Sequence, residues 1–259
     1  MVKGLYTAYT GMINEQNRMD IMTNNLANAS TVGYKKEGST SQSFDDVLTV
    51  KIKDQSVGMR NVQRLGVKNP GVKIGENYTD YSQGSFRITG NTYDLALSGE
   101  GFFAIEFTNK AGETDTKYTR AGQFTLNKDG YLVTEEGDYV LDTQNRRIRL
   151  NTLIDSSITD DGTIYQNGQA VAKIQVTDFE DYDYLEKYGE TYYQPIQGAE
   201  TIAAKAQVKS GYLEMANVQI VSEMVNLISI TRAYESNQKV VQTIDDTLDV
   251  AVNQIGRVQ

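Results

Sequence analysis

The sequence predicts an α+β protein in which long N- and C-terminal helices form a coiled coil and a central antiparallel β-rich domain lies between them. Three observations point there. Glycine is absent from residues 12–32 and 212–255, and both prolines, Pro70 and Pro195, fall between those stretches, so helix breakers are confined to the middle. Apolar residues at both ends recur with spacing that alternates four and three, the period of a coiled-coil seam. The middle consists of short β-branched and aromatic runs punctuated by Asp-Gly and Asn-Gly pairs, which supply the positive φ of two-residue hairpin turns. The implied organisation is a terminal helical assembly region at 1–35 and 212–259, connectors at 36–80 and 196–211, and a β-rich middle domain at 81–195.

At the C-terminal end the seam reads Ile220, Met224, Leu227, Thr231, Tyr234, Gln238, Val241, Asp245, Leu248, Val252 and Ile255. A second row, Val221, Val225, Ile228, Val240, Ile244 and Ala251, widens it to a face. At the N-terminal end the same spacing runs through Leu5, Tyr9, Met12, Gln16, Met19, Thr23 and Leu26. Helices of unequal length cover only part of each other's stripes, so the longer one keeps apolar surface that needs a partner.

The middle domain rests on "TRAGQFTLNKDGYLVTEEGDYVLD" and "DDGTIYQNGQAVAKIQV", with turns at Asp129–Gly130, Glu136–Gly137, Asp161–Gly162 and Asn167–Gly168. Residues 125–136 imitate a calcium loop, but Thr125 stands where the first aspartate ligand belongs and the flanks alternate like strands, so the stretch reads as a hairpin. Gly99-x-Gly101 is followed by Phe102 and Phe103 with no helix behind it, which suits a close turn into a buried strand and not a phosphate-binding loop. The acidic run "DFEDYDYLEKYGE", 178–190, singles out no carboxylate pair and reads as a solvated face.

Composition narrows the chemistry further. The 259 residues carry a net charge of −9 with no cysteine, histidine or tryptophan. Acidity argues against tracking nucleic-acid phosphates, and the missing residue types exclude disulfides, Cys/His zinc sites and thiolate or imidazole catalysis. No stretch approaches the roughly 18 apolar residues of a membrane span. Polar residues interrupt "MVKGLYTAYTGMINEQNRMD", so the N-terminus does not read as a cleaved secretory signal. Nothing points to a metal, a cofactor or a small-molecule ligand.

One stretch stands apart. In "NNLANASTVGYKK", Asn24, Asn25 and Asn28 crowd the end of the first helix ahead of Gly33. Short polar side chains compete for backbone hydrogen bonds and erode a helix. Gly33 is expected to close it in the left-handed conformation, with Lys35 and Lys36 just beyond, toward its negative end.

This stretch resembles the N-terminal signature of the flagellar basal-body rod and hook proteins. The resemblance extends to Gln83–Gly84, Thr89, "DLAL" at 94–97, "GEGFF" at 99–103, "YTRAGQF" at 118–124 and "GYLEMANVQIVSEMVNLISITRAYESNQKVVQTID" at 211–245, in the family's order. It implies a structural, non-enzymatic subunit of the envelope-spanning basal-body rod, polymerising into the axial shaft that transmits torque to the hook. It also implies self-association, contacts with other rod and hook proteins, and export through the flagellar type III apparatus without a cleaved signal. The assembly residues would be the seam and signature positions Leu5, Tyr9, Met12, Met19, Leu26, Asn24, Asn25, Asn28, Gly33, Ile220, Met224, Leu227, Tyr234, Val241, Leu248, Val252 and Ile255. Length favours a rod protein over the longer hook subunit, with proximal and distal rod types both open. Where the family has a serine this chain has Ala216, leaving Asn217 to cap the last helix alone. The rival readings are an exported carboxylate-based cell-wall glycoside hydrolase and a surface adhesin outside the flagellum.

Overall fold

The computed structural model describes residues 2–52, 62–109 and 112–255. The chain divides into two units, one of residues 1–26, 37–80 and 220–259 and the other of residues 27–36 and 81–219.

The first unit holds α1 (Val2–Ala27), α2 (Ile220–Val250) and four strands. β1 (Glu37–Ser43) pairs antiparallel with β4 (Val72–Thr79), and β2 (Val47–Ile52) with β3 (Val62–Lys68). The four strands are thus the two arms of one long hairpin. Its sequence shows no clean alternation because a two-stranded ribbon has no single face laid on a core. Val47, Leu48, Val50 and Val67 are all exposed. At its base the hairpin presses on α1. A Cβ on Gly71, where φ is +139°, would lie 2.1 Å from Thr10 Oγ1, and Asn14 Nδ2 donates to Ser41 Oγ at 3.1 Å.

α1 and α2 run antiparallel side by side, but they do not form the expected coiled coil. Gly4 lies 3.6 Å from Ile244 Cδ1 and Gly11 3.0 Å from Asn237 Nδ2, measured from where a Cβ would stand. Further along, Glu15 and Arg18 share a cavity with Asn226, Ser229, Ile230 and Ala233. On α1 the face toward α2 is therefore 4, 11, 15 and 18, one residue off the expected row. On α2 the covered positions include Glu223, Leu227, Ile230, Tyr234 and Val241, while Ile220, Met224 and Val252 of the expected seam are exposed. Gly4, Gly11, Asn237 and Glu15 share the contact with Ile230 and Ile244, and part of the apolar seam is turned away from it.

The second unit is the central antiparallel β domain. A nine-stranded sheet runs in the order Leu185–Tyr188, Tyr192–Pro195, Thr114–Thr119, Phe102–Thr108, Tyr139–Val140, Leu132–Thr134 and Phe124–Leu126, with Val176–Phe179 and Thr201–Ala203 branching from Phe102–Thr108. Successive strand side chains point to opposite faces, and Phe102 and Phe103 show the result. Phe103 enters one core with Leu95, Leu97, Phe124 and Ile164, whereas Phe102 enters another with Tyr118, Phe179 and Tyr193. Residues 125–136 are the expected hairpin, with Leu132–Thr134 paired to Phe124–Leu126. Asn167 and Gly168, at φ 52° and 77°, turn Thr163–Gln166 into Gln169–Lys173 as an Asn-Gly turn should,.

On the sheet surface Arg147 grips Glu106 with two hydrogen bonds, 2.6 and 3.0 Å. The bonds from Arg147 hold the Glu106 carboxyl below the usual carboxylate range. A depressed carboxylate contributes stability that is present above its unfolded pKa and lost as pH falls through the folded value. Arg147→Gln should therefore lower Tm at neutral pH, and the gap to the parent protein should close as pH falls toward about 3, measured by thermal melts across that range.

Candidate functional site

The segment that follows α1 and the segment that precedes α2 both belong to the β-domain unit, and they meet at a buried ion cluster. Lys35 Nζ lies 2.7 Å from Glu214 Oε1, and Arg120 Nη1 lies 3.3 Å from Glu214 Oε2. All three side chains are buried, at 1%, 3% and 0% exposure. Lys35 also donates to the Ser82 carbonyl at 2.8 Å, and the Gly84 amide donates to Glu214 Oε1 at 3.0 Å. The Arg120 guanidinium sits 5.3 Å from the centre of the Phe102 ring, and its Nε is buried without a hydrogen-bond partner. Taking one member from such a cluster strands the remaining charges, at a cost of about 3–5 kcal/mol.

Backbone approach makes the cluster possible. The Gly33 amide donates to the Glu214 carbonyl at 2.8 Å, and Met215 N donates to Ser85 O at 2.9 Å. Gly33 is left-handed, at φ +70°, and a Cβ there would stand 2.3 Å from Ala121 N. Gly84 has no room for a Cβ either, which would fall 1.9 Å from Met215 O. Lys36 N donates to Asn217 Oδ1 at 2.7 Å, while Asn217 Nδ2 donates to Ser82 Oγ at 3.0 Å. Residues 33–36, 82–84, 120–121 and 214–217, drawn from four signature blocks far apart in the chain, thus converge on one point.

Several expectations change here. Gly33 does not cap α1, which ends at Ala27; its left-handed conformation serves the close pass against Ala121. Lys35 is not spent on the negative end of α1 but is buried against Glu214. Asn217 does not cap α2, because its side chain is engaged by Lys36 and Ser82. Sequence reasoning missed Arg120 and Glu214 as site residues. The available signal was a lone charge inside each of two otherwise structural blocks, "YTRAGQF" and "GYLEMA".

The asparagines have separate tasks. Asn25 is fully buried, and its amide reads the Glu37 backbone like a neighbouring strand. Nδ2 donates to Glu37 O at 2.7 Å, and Oδ1 accepts from Glu37 N at 2.9 Å. It thereby ties the end of α1 to the start of β1. Asn28 donates to Glu190 Oε2 at 2.6 Å and accepts from Thr31 Oγ1 at 3.1 Å. Asn24 is half-buried.

Of the expected seam, Leu5, Met12, Met19, Leu26, Leu227, Tyr234, Val241 and Leu248 are half-buried, and Tyr9 is exposed. The side chain of Ile255 lies outside the described residues. Ile230, in neither apolar row, is the buried apolar residue of α2 at 3% exposure. What the structure leaves open is a cluster at the start of α2: Ile220, Val221, Met224, Val225 and Ile228 are 46–77% exposed. Two acids of the stretch 178–190 serve local structure. Asp178 accepts from Tyr182 Oη at 2.8 Å, which, after burial itself, raises the phenol's pKa. Asp181 caps the short helix Tyr182–Tyr184. Among the described residues no group of three His, Cys, Asp or Glu side chains could hold a metal ion.

Known proteins match the chain along its whole length. Residues 5–35 match the family described as "Flagella basal body rod protein", residues 96–168 the "Flagellar hook protein FlgE/F/G D1 domain", and residues 209–255 the "Flagellar basal body rod FlgEFG protein C-terminal". The flagellar basal-body rod protein FlgG of Bacillus subtilis is 34% identical over 98% of this chain and 99% of its own. The flagellar basal-body rod protein FlgF of Caulobacter vibrioides is 32% identical over all of both chains. FlgG of the same bacterium is 34% identical over 95% of this chain and 97% of its own.

Gly33 and Gly90 give a matched test of the close pass, since φ is +70° at one and +72° at the other but only Gly33 lacks space for a Cβ. Gly90→Ala should cost about 1–2 kcal/mol, the left-handed penalty alone. Gly33→Ala should cost roughly 2 kcal/mol or more beyond that, read by urea unfolding of the two variants.

Proposed function

We propose that this chain, which belongs to the flagellar basal-body rod protein family, is a structural subunit of the rod that polymerises with copies of itself and transmits torque toward the hook. It is not an enzyme, and its place is the basal body, in association with other rod and hook proteins. The observation that carries the reading is the collinear match of three rod and hook family segments to the N-terminal, central and C-terminal parts of one chain.

The terminal helical segments, 1–35 and 212–259, are the assembly region in this proposal, with 81–195 as the β-rich middle domain. The exposed cluster of Ile220, Val221, Met224, Val225 and Ile228 supports it. Burying a large apolar side chain contributes about 1.5–3 kcal/mol, and here that gain awaits a neighbouring subunit. A head-to-tail contact between identical subunits that does not close generates a helical polymer. Export through the flagellar type III apparatus belongs to the same proposal. No observation favours the glycoside hydrolase or the adhesin, and Asp178 and Asp181 already have structural partners.

Electron microscopy of basal bodies from a strain lacking the gene, beside the complemented strain, tests the reading. Rods should be missing or shortened and carry no hook; complete rods and hooks would refute it. Val221→Asp separates assembly from folding. At an exposed position it should change stability by less than about 0.5 kcal/mol yet keep the subunit out of basal bodies, checked by melting curves and immunoblots of the isolated structures.

A further inference from the structure

Lys35, Arg120 and Glu214 bury charges, with Arg120 beside the buried Phe102 ring, and the Arg120 Nε–H goes unpaired. Replacing a buried ion cluster by apolar residues is often neutral or stabilising, so stability alone does not account for it. What apolar side chains cannot supply is direction.

Direction matters here because the strand that carries Glu214 is short. Tyr212–Glu214 pairs with Phe86–Ile88 over three residues only, Tyr212 with Ile88, Leu213 with Arg87 and Glu214 with Phe86. All three residues of the partner strand are exposed, so the buried face that specifies register here is Leu213 and Glu214 alone, and Gly211 separates this strand from Gln207–Ser210, which is held on Leu95–Ser98,. A slip by two residues keeps each side chain on its own face. In one direction it would bring Met215 into the place of Leu213, an exchange that apolar packing tolerates. It would also bring Ala216 into the place of Glu214. In the other direction Tyr212 would take that place. Either slip leaves two buried cations and the Gly84 amide without their acceptor.

We propose that the Lys35–Glu214–Arg120 cluster is a register lock, with Glu214 as its positioning residue. It fixes the alignment of Tyr212–Glu214 on Phe86–Ile88 and so the residue at which the chain leaves the β domain for the segment that leads into α2. The lock is a property of the folded chain and does not depend on the rod reading; its failure would leave that reading untouched.

The absence of cysteine makes the test clean. Ladder bonds join Thr89 N to Gly211 O and Met215 N to Ser85 O, which makes Tyr212 and Ile88 a non-hydrogen-bonded pair, the closer kind. Ile88→Cys with Tyr212→Cys reports the native register. Ile88→Cys with Ser210→Cys and Gly90→Cys with Tyr212→Cys report the two slips, because diagonal positions are too far apart to bridge otherwise. Purified full-length chain is oxidised and the disulfides are mapped by mass spectrometry, with the cluster intact and in a Lys35→Met, Arg120→Met, Glu214→Leu background. With the cluster intact only the native pair should cross-link. In the triple variant the native cross-link should be lost in part and a slipped pair should appear. Native cross-linking alone in that background overturns the proposal. If the triple variant does not fold, the same reporters in Glu214→Gln decide, a slipped cross-link supporting the lock and an exclusively native one overturning it.

Discussion

The carboxylate of Glu214 is the constraint on which the arrangement of the chain segments depends. It accepts from a lysine 179 residues away, an arginine 94 residues away and an amide 130 residues away. Buried away from water, these groups are satisfied only when the segments that carry them arrive together at Glu214,. Of the four segments that meet, those around Lys35 and Glu214 are the stretches through which the chain enters and leaves its β domain. Holding both against Arg120 makes the ends of the domain part of its interior.

The glycines follow from the same constraint. Three backbones cannot approach a common carboxylate unless side chains are absent where they cross. Gly33 passes against Ala121 and Gly84 against Met215, and neither site has space for a methyl group. Asn25 extends the logic into the helical unit, where its amide completes the Glu37 backbone as a strand would. The signature that begins "NNLANASTVGYKK" is therefore less the end of a helix than a series of fixed backbone contacts. That answers why polar residues crowd there: Asn25, Asn28 and Lys35 each supply a side-chain hydrogen bond to another segment, which a generic helix stop would not need.

The helices and the β domain were legible in the sequence because their signals are local. The glycine-free stretches 12–32 and 212–255 marked most of α1 and all of α2, and Asn167–Gly168 marked its turn. The face of the helix contact was not legible, since Gly4, Gly11 and Asn237 do not score as apolar although they form the contact. The hairpin over 37–79 was hidden because neither face of a two-stranded ribbon needs to alternate, and its Val47, Leu48 and Val67 remain exposed. The ion cluster was the least legible feature. A charged residue reads as exposed by default, and only a long-range partner, which local pattern cannot reveal, makes its burial affordable. The sequence accordingly reads Lys35 as lying just past the helix end, toward its negative dipole, and Glu214 draws no notice inside its block.

Native-state hydrogen exchange on the full-length chain tests the central claim most directly. The amides of Gly33, Lys36, Gly84 and Met215 donate to Glu214 O, Asn217 Oδ1, Glu214 Oε1 and Ser85 O respectively. If the cluster binds the segments into one cooperative unit, all four should open with the same free energy and the same denaturant dependence. Separate openings, with Gly33 and Lys36 exchanging well before Gly84 and Met215, would contradict it.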